Sequence, residues 1–278
     1  MLVLAWDTST EATRLGLFRV QPSVAPGSTQ AGGSAPAPGL ARGSLTSPEA
    51  TDASVVTETL ETKTGDGRGG HSATLPPAID SLLKRHALKP SDLDLLAVGR
   101  GPGSFTGLRT GLALAKGLAM GAGLPALGLS SLTVLAGQAS PAPSPNGPGL
   151  VASVIDARHG EVFCRLFRPP HSGTPLPEPL SEILVLKPDQ TPLALKALDP
   201  DNLGILLVGP AVSLLPPPPT GLAIGSTSPP DPALLAAQAA FRLLHNLTDD
   251  CPLTPLYGRS PDIFKKWTPP IRLPANRP

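Results

Sequence analysis

Cysteine, aromatic side chains and net charge are all scarce in this chain. The only cysteines, Cys164 and Cys251, have neither the number nor the spacing of a zinc site or a disulfide framework, which is typical of a reducing compartment. A net charge of +1 gives no overall attraction to nucleic acid. No apolar run reaches the length of a membrane span, and the start MLVLAWDTST has no basic leader. We therefore expect a cytoplasmic protein with no metal and no other cofactor.

Proline and glycine are abundant instead, and they are concentrated in a few stretches. Residues 21–52 consist mostly of Pro, Gly, Ser, Ala and Thr, a composition that predicts a disordered insertion. The rest of the chain is long enough for two lobes. We predict a first lobe over residues 1–123, a second lobe over 124–267 that begins with a strand at 124–129, and a loose tail over 268–278.

Hydrophobic periodicity predicts a three-stranded meander followed by alternating helices and strands. The predicted segments of the first lobe are strands at 2–6, 15–20, 54–62 and 95–98, and helices at 71–88 and 104–121. Those of the second lobe include strands at 150–156, 161–167 and 203–208, and a helix at 231–247. This order favours an α/β, ribonuclease-H-like arrangement.

The helix predicted after Ser104 carries small residues at every fourth position. They are Gly103, Gly107, Gly111, Ala115, Ala119 and Gly123. A glycine inside a helix costs about 1 kcal/mol relative to alanine, so close approach of another backbone is the expected compensation. The strip either packs on the chain's own sheet or meets a partner helix or an anion. A P-loop is excluded, because Gly107 is followed by Leu108 and Arg109 where Lys and Ser or Thr are required.

An acidic and hydroxyl-rich turn, Asp7-Thr8-Ser9-Thr10, separates the first two predicted strands. It resembles the first phosphate loop of the actin-like ATPase superfamily, where an aspartate and backbone amides hold magnesium and nucleotide phosphate. The alternative is a turn capped by its own side chains.

The turn between the strands at 150–156 and 161–167 stands where that superfamily has its second phosphate loop. Paired glycines are needed there, and this chain has Arg158 and His159, with Glu161 following. Asp156, Arg158, His159 and Glu161 can be imagined as an acid–base set, but an Asp156–Arg158 pair or a cap on the turn is the simpler interpretation.

The run GRGPGSFTGLRTGLALAKGLA at 99–119 resembles the signature of the TsaB (YeaZ) family of bacterial tRNA threonylcarbamoyladenosine biosynthesis proteins. That family comprises non-catalytic relatives of TsaD, once grouped with glycoprotease-like proteins. VIDARHGEVF at 154–163 and TPLYGR at 254–259 resemble the same family, whereas the insertion at 21–52 departs from it. The resemblance implies an α/β fold of two ribonuclease-H-like lobes of the actin-like ATPase superfamily, with mixed sheets flanked by helices.

The resemblance also implies a function. It implies a scaffold subunit that binds TsaD, with TsaE joining the pair. The complex modifies the adenosine 3′ of the anticodon in tRNAs that read codons starting with A, and the scaffold subunit contacts tRNA only through the complex. The contact is expected through the helices at 71–88 and 104–121, and a homodimer through the same helices is plausible without TsaD. The partner-binding residues are expected to be His71, Leu75, Ile79, Leu82, Phe105, Gly107, Leu108, Gly111, Leu112 and Ala115. A leucine at Gly107 or Gly111 is then expected to weaken TsaD binding and to leave the isolated chain folded.

Three alternatives belong to other functional classes. A nucleotide-binding ATPase or kinase is favoured by Asp7, Thr8, Ser9 and Thr10 and opposed by the missing glycines at 156–161. A glycoprotease-like peptidase lacks both a metal set and a nucleophile–base pair, since His71 has no second histidine four residues on. A direct tRNA-binding module lacks a basic patch interleaved with aromatic residues.

Overall fold

A computed structural model describes residues 1–23, 55–65, 70–139, 148–171 and 173–258. The predicted tail at 268–278 lies outside the described residues, as does the predicted insertion apart from residues 21–23. In chain order the strands are β1 (Leu2–Asp7), β2 (Thr13–Pro22), β3 (Val55–Gly65), β4 (Leu95–Gly99), β5 (Ala126–Leu129), β6 (Leu150–Arg158), β7 (Glu161–Arg168), β8 (Glu178–Pro179), β9 (Leu184–Leu186), β10 (Ile205–Val208) and β11 (Leu222–Ile224). The helices are α1 (His71–Arg85), α2 (Phe105–Ala122), α3 (Ser131–Gly137), α4 (Thr191–Ala197) and α5 (Pro232–Leu244).

The first sheet has the strand order β3-β2-β1-β4-β5. Strands β1, β2 and β3 pair antiparallel as the predicted meander, and β4 and β5 continue the sheet in parallel from β1. Strands β1 and β4 are almost continuously apolar and, apart from Leu2, buried, as expected of central strands that are covered on both faces.

The second sheet repeats this arrangement. Its order is β11-β10-β6-β7-β8, with β9 also pairing β7. Strands β6, β7 and β8 are antiparallel, whereas β10 and β11 run parallel to β6. Two mixed sheets of the same topology, each flanked by helices, confirm the predicted ribonuclease-H-like α/β fold.

The first sheet is covered by helices from both ends of the chain. Helices α1 and α2 bury Leu75, Leu82 and Leu112 against one face. Helix α5 buries Leu235 and other apolar residues against the opposite face, although it follows the second sheet in sequence. After forming the second sheet, the chain therefore returns to the first sheet through α5.

One strand assignment was wrong. The strand predicted at 124–129 was expected in the second lobe, but β5 pairs with β4 in the first sheet, with Leu127 beside Ala97. The chain passes from β4 through α2 and back to β5, which pairs parallel to β4. Strand β5 therefore lies at the edge of the same sheet. The lobe boundary after residue 123 stays a prediction.

Helix α2 is the longest helix of the described ranges, with 18 residues. It carries Arg109 and Lys116. Within the described part of the chain, no helix combines the length and the apolar character needed to cross a bilayer.

Candidate partner-binding surface and interlobe cleft

Local sequence determines where α2 begins and ends. The Ser104 hydroxyl accepts a hydrogen bond from the Gly107 N–H at 3.2 Å, which satisfies one of the free amides at the helix start. Gly123 caps the other end at φ 68°, a left-handed conformation that glycine adopts without penalty. The Ser104 N–H donates to the Ser9 carbonyl at 2.7 Å and thereby joins the helix start to the first loop after β1.

The strip of small residues on α2 packs against the chain's own first strand and loop. The Thr8 hydroxyl donates to the Gly107 carbonyl at 2.8 Å, and the Trp6 indole N–H donates to the Gly111 carbonyl at 3.3 Å. A Cβ added at Gly107 would lie 2.2 Å from the Thr8 carbonyl oxygen, and one added at Gly111 would lie 2.5 Å from the Thr8 hydroxyl. The expectation that these two glycines leave space for a partner helix was therefore wrong. The space beside them is filled by β1 and the first loop.

Six further residues from the predicted partner-binding set are also buried inside the chain. They are Leu75, Ile79, Leu82, Leu108, Leu112 and Ala115, each no more than 3% exposed. Their helical spacing marks the side of α1 and α2 that covers the first sheet, so they are core residues in this structure. Sequence periodicity identifies an apolar face but does not say whether the chain itself or a partner covers that face.

His71 is held by internal contacts at the start of α1. Its Nδ1 lies 2.6 Å from the Thr13 hydroxyl, and its ring borders Gly107. Burial lowers the pKa of His71 below its usual 6.5, and the nearby Asp7 carboxylate partly opposes this effect.

Helix α2 presents a second, exposed row of small residues. Ala113, Gly117 and Gly121 follow one another at four-residue intervals and are exposed, as are Lys116 and Met120. Apart from the neighbouring backbone of α2, no atom of the described residues lies within 4 Å of a Cβ added at Gly117 or Gly121. Met120 is 85% exposed, which is unusual for such an apolar side chain. Within the described part of the chain, no contact compensates for the helix cost of these two glycines.

An apolar groove lies between α1 and α2, beside this exposed row. Its volume is about 390 Å³. Pro76, Ile79, Leu83, Leu114 and Leu118 line it. The groove and the exposed row together form a continuous surface, which we call the helix-pair face.

Asp7 is buried at the end of β1, and internal donors occupy its carboxylate. Its Oδ1 accepts from the Ser9 N–H at 2.7 Å and from the Ser9 hydroxyl at 2.5 Å, and its Oδ2 accepts from the Ser131 hydroxyl at 2.6 Å. Burial raises the pKa of Asp7, and the hydrogen bonds from Ser131 and Ser9 oppose the rise. Gly99 leaves the space for this carboxylate, because a Cβ there would lie within 2 Å of Asp7 Oδ2.

Of the predicted nucleotide-binding residues, only Ser9 and Thr10 border the cleft between the two sheets. This cleft has a volume of about 360 Å³. Asp7 and Thr8 point into the core, at 1% and 0% exposure. The Asx-type contacts of Asp7 with Ser9 match the self-capped turn that the sequence left open as the alternative.

The second loop crosses the cleft with an ion pair. Arg158 lies 3.0 Å from Glu11 of the first loop and 3.4 Å from Asp156. The Asp156 carboxylate also accepts from the Arg158 N–H at 2.7 Å, so the simpler interpretation of this turn is confirmed. A large side chain thus occupies the place where the superfamily has bare glycine backbone.

Both cysteines are buried and free. Burial raises the pKa of the Cys164 thiol to about 12 and also raises the pKa of Cys251. Among the described residues, no three His, Cys, Asp or Glu side chains are grouped as a metal site requires.

A feature that the sequence analysis missed lies at the start of α2. Tyr257, from the segment after α5, stacks on Phe105 with the ring centroids 5.5 Å apart. Arg109 lies over the same Phe105 ring and donates from Nε to the Tyr257 hydroxyl at 3.1 Å. A separation of 148 residues between Arg109 and Tyr257 leaves no local signal for this contact.

Two solved structures share this fold over most of the chain. The chain is similar to YeaZ from Pseudomonas aeruginosa, with a TM-score of 0.59 and 24% identity over 92% of this chain and 99% of that chain. A second solved structure, described as an uncharacterized protein with similarity to peptidase YeaZ from P. aeruginosa, has a TM-score of 0.61 and 23% identity over 93% of this chain and 99% of that chain. Residues 67–168 match the model of the TsaD family, tRNA N6-adenosine threonylcarbamoyltransferase. The fold is thus that of the YeaZ structures.

Comparison with curated proteins identifies the particular relatives. The chain is 40% identical over 103 residues to the tRNA threonylcarbamoyladenosine biosynthesis protein TsaB of Escherichia coli K12, covering 37% of this chain and 43% of that protein. It is 40% identical over 98 residues to TsaB of Bacillus subtilis 168, covering 35% of this chain and 41% of that protein. These matches confirm the resemblance to the TsaB (YeaZ) family. The chain spans about two fifths of the length of the curated relatives that it matches.

Proposed function

We propose that this chain is a non-catalytic subunit that binds a TsaD-type transferase and is needed for threonylcarbamoylation of the adenosine 3′ of the anticodon in tRNAs that read codons starting with A. The observation that carries the proposal is the 40% identity to TsaB over 103 residues, combined with a YeaZ-like fold. TsaE joins the pair, tRNA contacts this chain only through the complex, and the complex works in the cytoplasm.

The state of the two loops supports a scaffold role. Internal donors already occupy the Asp7 carboxylate, which in the superfamily's enzymes faces the nucleotide. Arg158 fills the second loop and pairs across the cleft with Glu11. Both loops therefore stabilise the contact between the two sheets rather than a phosphate group.

The helix-pair face supports a partner-binding role. Gly117 and Gly121 each cost about 1 kcal/mol of helix stability relative to alanine, and no contact with another described residue offsets this cost. Exposed small residues let a second helix approach closely, and Met120 and the neighbouring groove supply apolar area for it. We infer that TsaD covers this face, and that a second copy of the chain covers it when TsaD is absent.

The test is co-purification of the full chain with TsaD from the same genome, followed by an assay of threonylcarbamoyladenosine formation with and without this chain. Gly117→Leu is expected to weaken binding at least tenfold, because its side chain would hold a partner helix away. Its fold is expected to persist, since the site is open and leucine favours a helix. Ala197→Leu, at an exposed position of α4 in the second lobe, is the matched control.

Two results would contradict the proposal. One is full-speed modification by the remaining components with this chain left out. The other is tight binding of ATP and magnesium to the isolated chain in calorimetry, which would favour the superfamily ATPase instead.

A further inference from the structure

The segment that follows α5 crosses the glycine-rich turn between β4 and α2. We call residues 252–258 the strap. The Leu256 N–H donates to the Arg100 carbonyl at 2.7 Å at the turn. At the end of the strap, a Cβ on Gly258 would lie 2.4 Å from the Phe163 ring of β7 in the second sheet. The strap thus contacts both sheets and holds Tyr257 against the first turn of α2.

Tyr257, Phe105 and Arg109 form a compact group, which we call the strap cluster. The two aromatic rings are stacked at an interplanar angle of 30°, and the Arg109 guanidinium carbon lies 3.8 Å from the Phe105 centroid. Phe105 is 51% exposed and Tyr257 is 47% exposed, so the cluster is ordered by its own contacts while half of each ring stays accessible.

These contacts preorganise the Arg109 side chain. One guanidinium face lies on Phe105, and Nε donates to Tyr257. Among the described residues, its two terminal nitrogens donate no hydrogen bond and it contacts no carboxylate. A planar guanidinium held in this way is suited to bidentate pairing with an anionic oxygen group, at a smaller loss of side-chain entropy than a mobile arginine suffers.

The cluster is continuous with the helix-pair face. Phe105, Arg109, Ala113 and Gly117 follow at intervals of four residues and are all exposed, so they share one side of α2. Exposed Tyr, Phe and Arg side chains at fixed positions are typical of the energetically dominant part of protein interfaces. No carboxylate occurs in α2, so the side of the helix that Arg109 shares complements an acidic partner surface.

We propose that the strap cluster forms one end of the TsaD-binding surface and that Arg109 pairs there with a carboxylate of TsaD. This inference rests on the proposed function. It adds that the C-terminal strap, and not only α1 and α2, contributes to binding, and it specifies the charge of the partner surface. A nucleic-acid phosphate is the other anion that this cluster suits, but the apolar continuation along α2 favours a protein.

The experiment measures the dissociation constant of the full chain and TsaD by calorimetry at two salt concentrations. Arg109→Ala and Tyr257→Ala are each expected to weaken binding at least tenfold, and Tyr257→Phe, which keeps the stacking, by only a few-fold. Arg109→Lys keeps the charge but loses the planar fork and is expected to bind about as weakly as Arg109→Ala. Added salt is expected to weaken the wild type more than Arg109→Ala. Arg168→Ala, which removes an exposed arginine on β7, is the matched control.

The possible outcomes separate the two proposals. If the wild-type chain does not bind TsaD at all, the proposed function fails and this inference fails with it. If the wild type binds, Gly117→Leu does not, and the cluster variants bind like wild type, this inference alone is overturned. It is also overturned if Arg109→Ala leaves TsaD binding unchanged but reduces binding of free tRNA in a filter assay.

Discussion

Two glycines ten residues apart in α2 are expected to respond in opposite ways to the same substitution. Gly107→Ala places a Cβ 2.2 Å from the Thr8 carbonyl oxygen, more than about 1 Å below ordinary contact distance. The contact is with backbone, so α2 must move away from the first loop. Gly117→Ala places a Cβ where nothing lies within 4 Å.

The expected magnitudes follow from these surroundings. Alanine improves helix propensity by about 1 kcal/mol at either position. At Gly107, overpacking costs about 1–3 kcal/mol, and weakening the buried hydrogen bond from Thr8 costs about 1 kcal/mol more. We expect Gly107→Ala to lower the free energy of unfolding by about 1–3 kcal/mol and Gly117→Ala to raise it by up to about 1 kcal/mol.

Urea unfolding followed by circular dichroism gives both free energies by linear extrapolation. The glycine that is buried against Thr8 and the glycine that faces solvent are each other's control, because the residue change is identical. Equal stabilisation by both substitutions would refute the reasoning, since it would mean that α2 does not pack on the first loop. The result also tests the expectation that Gly107→Leu leaves the isolated chain folded. Given the contact of Gly107 with Thr8, we expect this substitution to destabilise the isolated chain.

The remaining predictions concern the buried ionisable groups. Asp7→Asn is expected to lower the free energy of unfolding by about 2 kcal/mol, because one amide oxygen cannot replace both carboxylate oxygens as acceptors for Ser9 and Ser131. An unchanged free energy of unfolding in urea would contradict the role of Asp7 as acceptor for both serines. Burial depresses the pKa of His71 in the folded state, so below pH 6.5 the unfolded chain binds the proton more readily and stability falls as pH drops. His71→Gln is expected to flatten this dependence in melts between about pH 7.5 and 5.5, and a slope that persists in the variant would assign it to another group.

Local signals in the sequence were sufficient for most of the secondary structure. The helix predicted at 104–121 agrees with α2 to within a residue at each end, where Ser104 and Gly123 are the caps. The helix predicted at 231–247 begins within a residue of α5, where Asp231 is the N-cap and Pro232 the first helical residue. These signals work because a cap satisfies backbone groups only a few residues away, so the interaction is complete within the local segment.

The sequence did not show which side of a helix faces the core and which side is exposed. Helix α2 carries two rows of small residues, one through Gly107 and one through Gly117, and spacing alone does not distinguish them. The structure buries the first against Thr8 and leaves the second exposed.

The sequence by itself thus determined the approximate positions of most strands and helices, and it carries the signature that relates the chain to TsaB. Only the tertiary structure decided which face of α2 is internal, that β5 stays in the first sheet, and that Tyr257 reaches Arg109 across 148 residues of chain. The physical reason is the separation along the chain over which each interaction acts. Helix caps and periodicity depend on neighbours within one or two turns, whereas burial and strand pairing depend on segments that are brought together only when the whole chain folds.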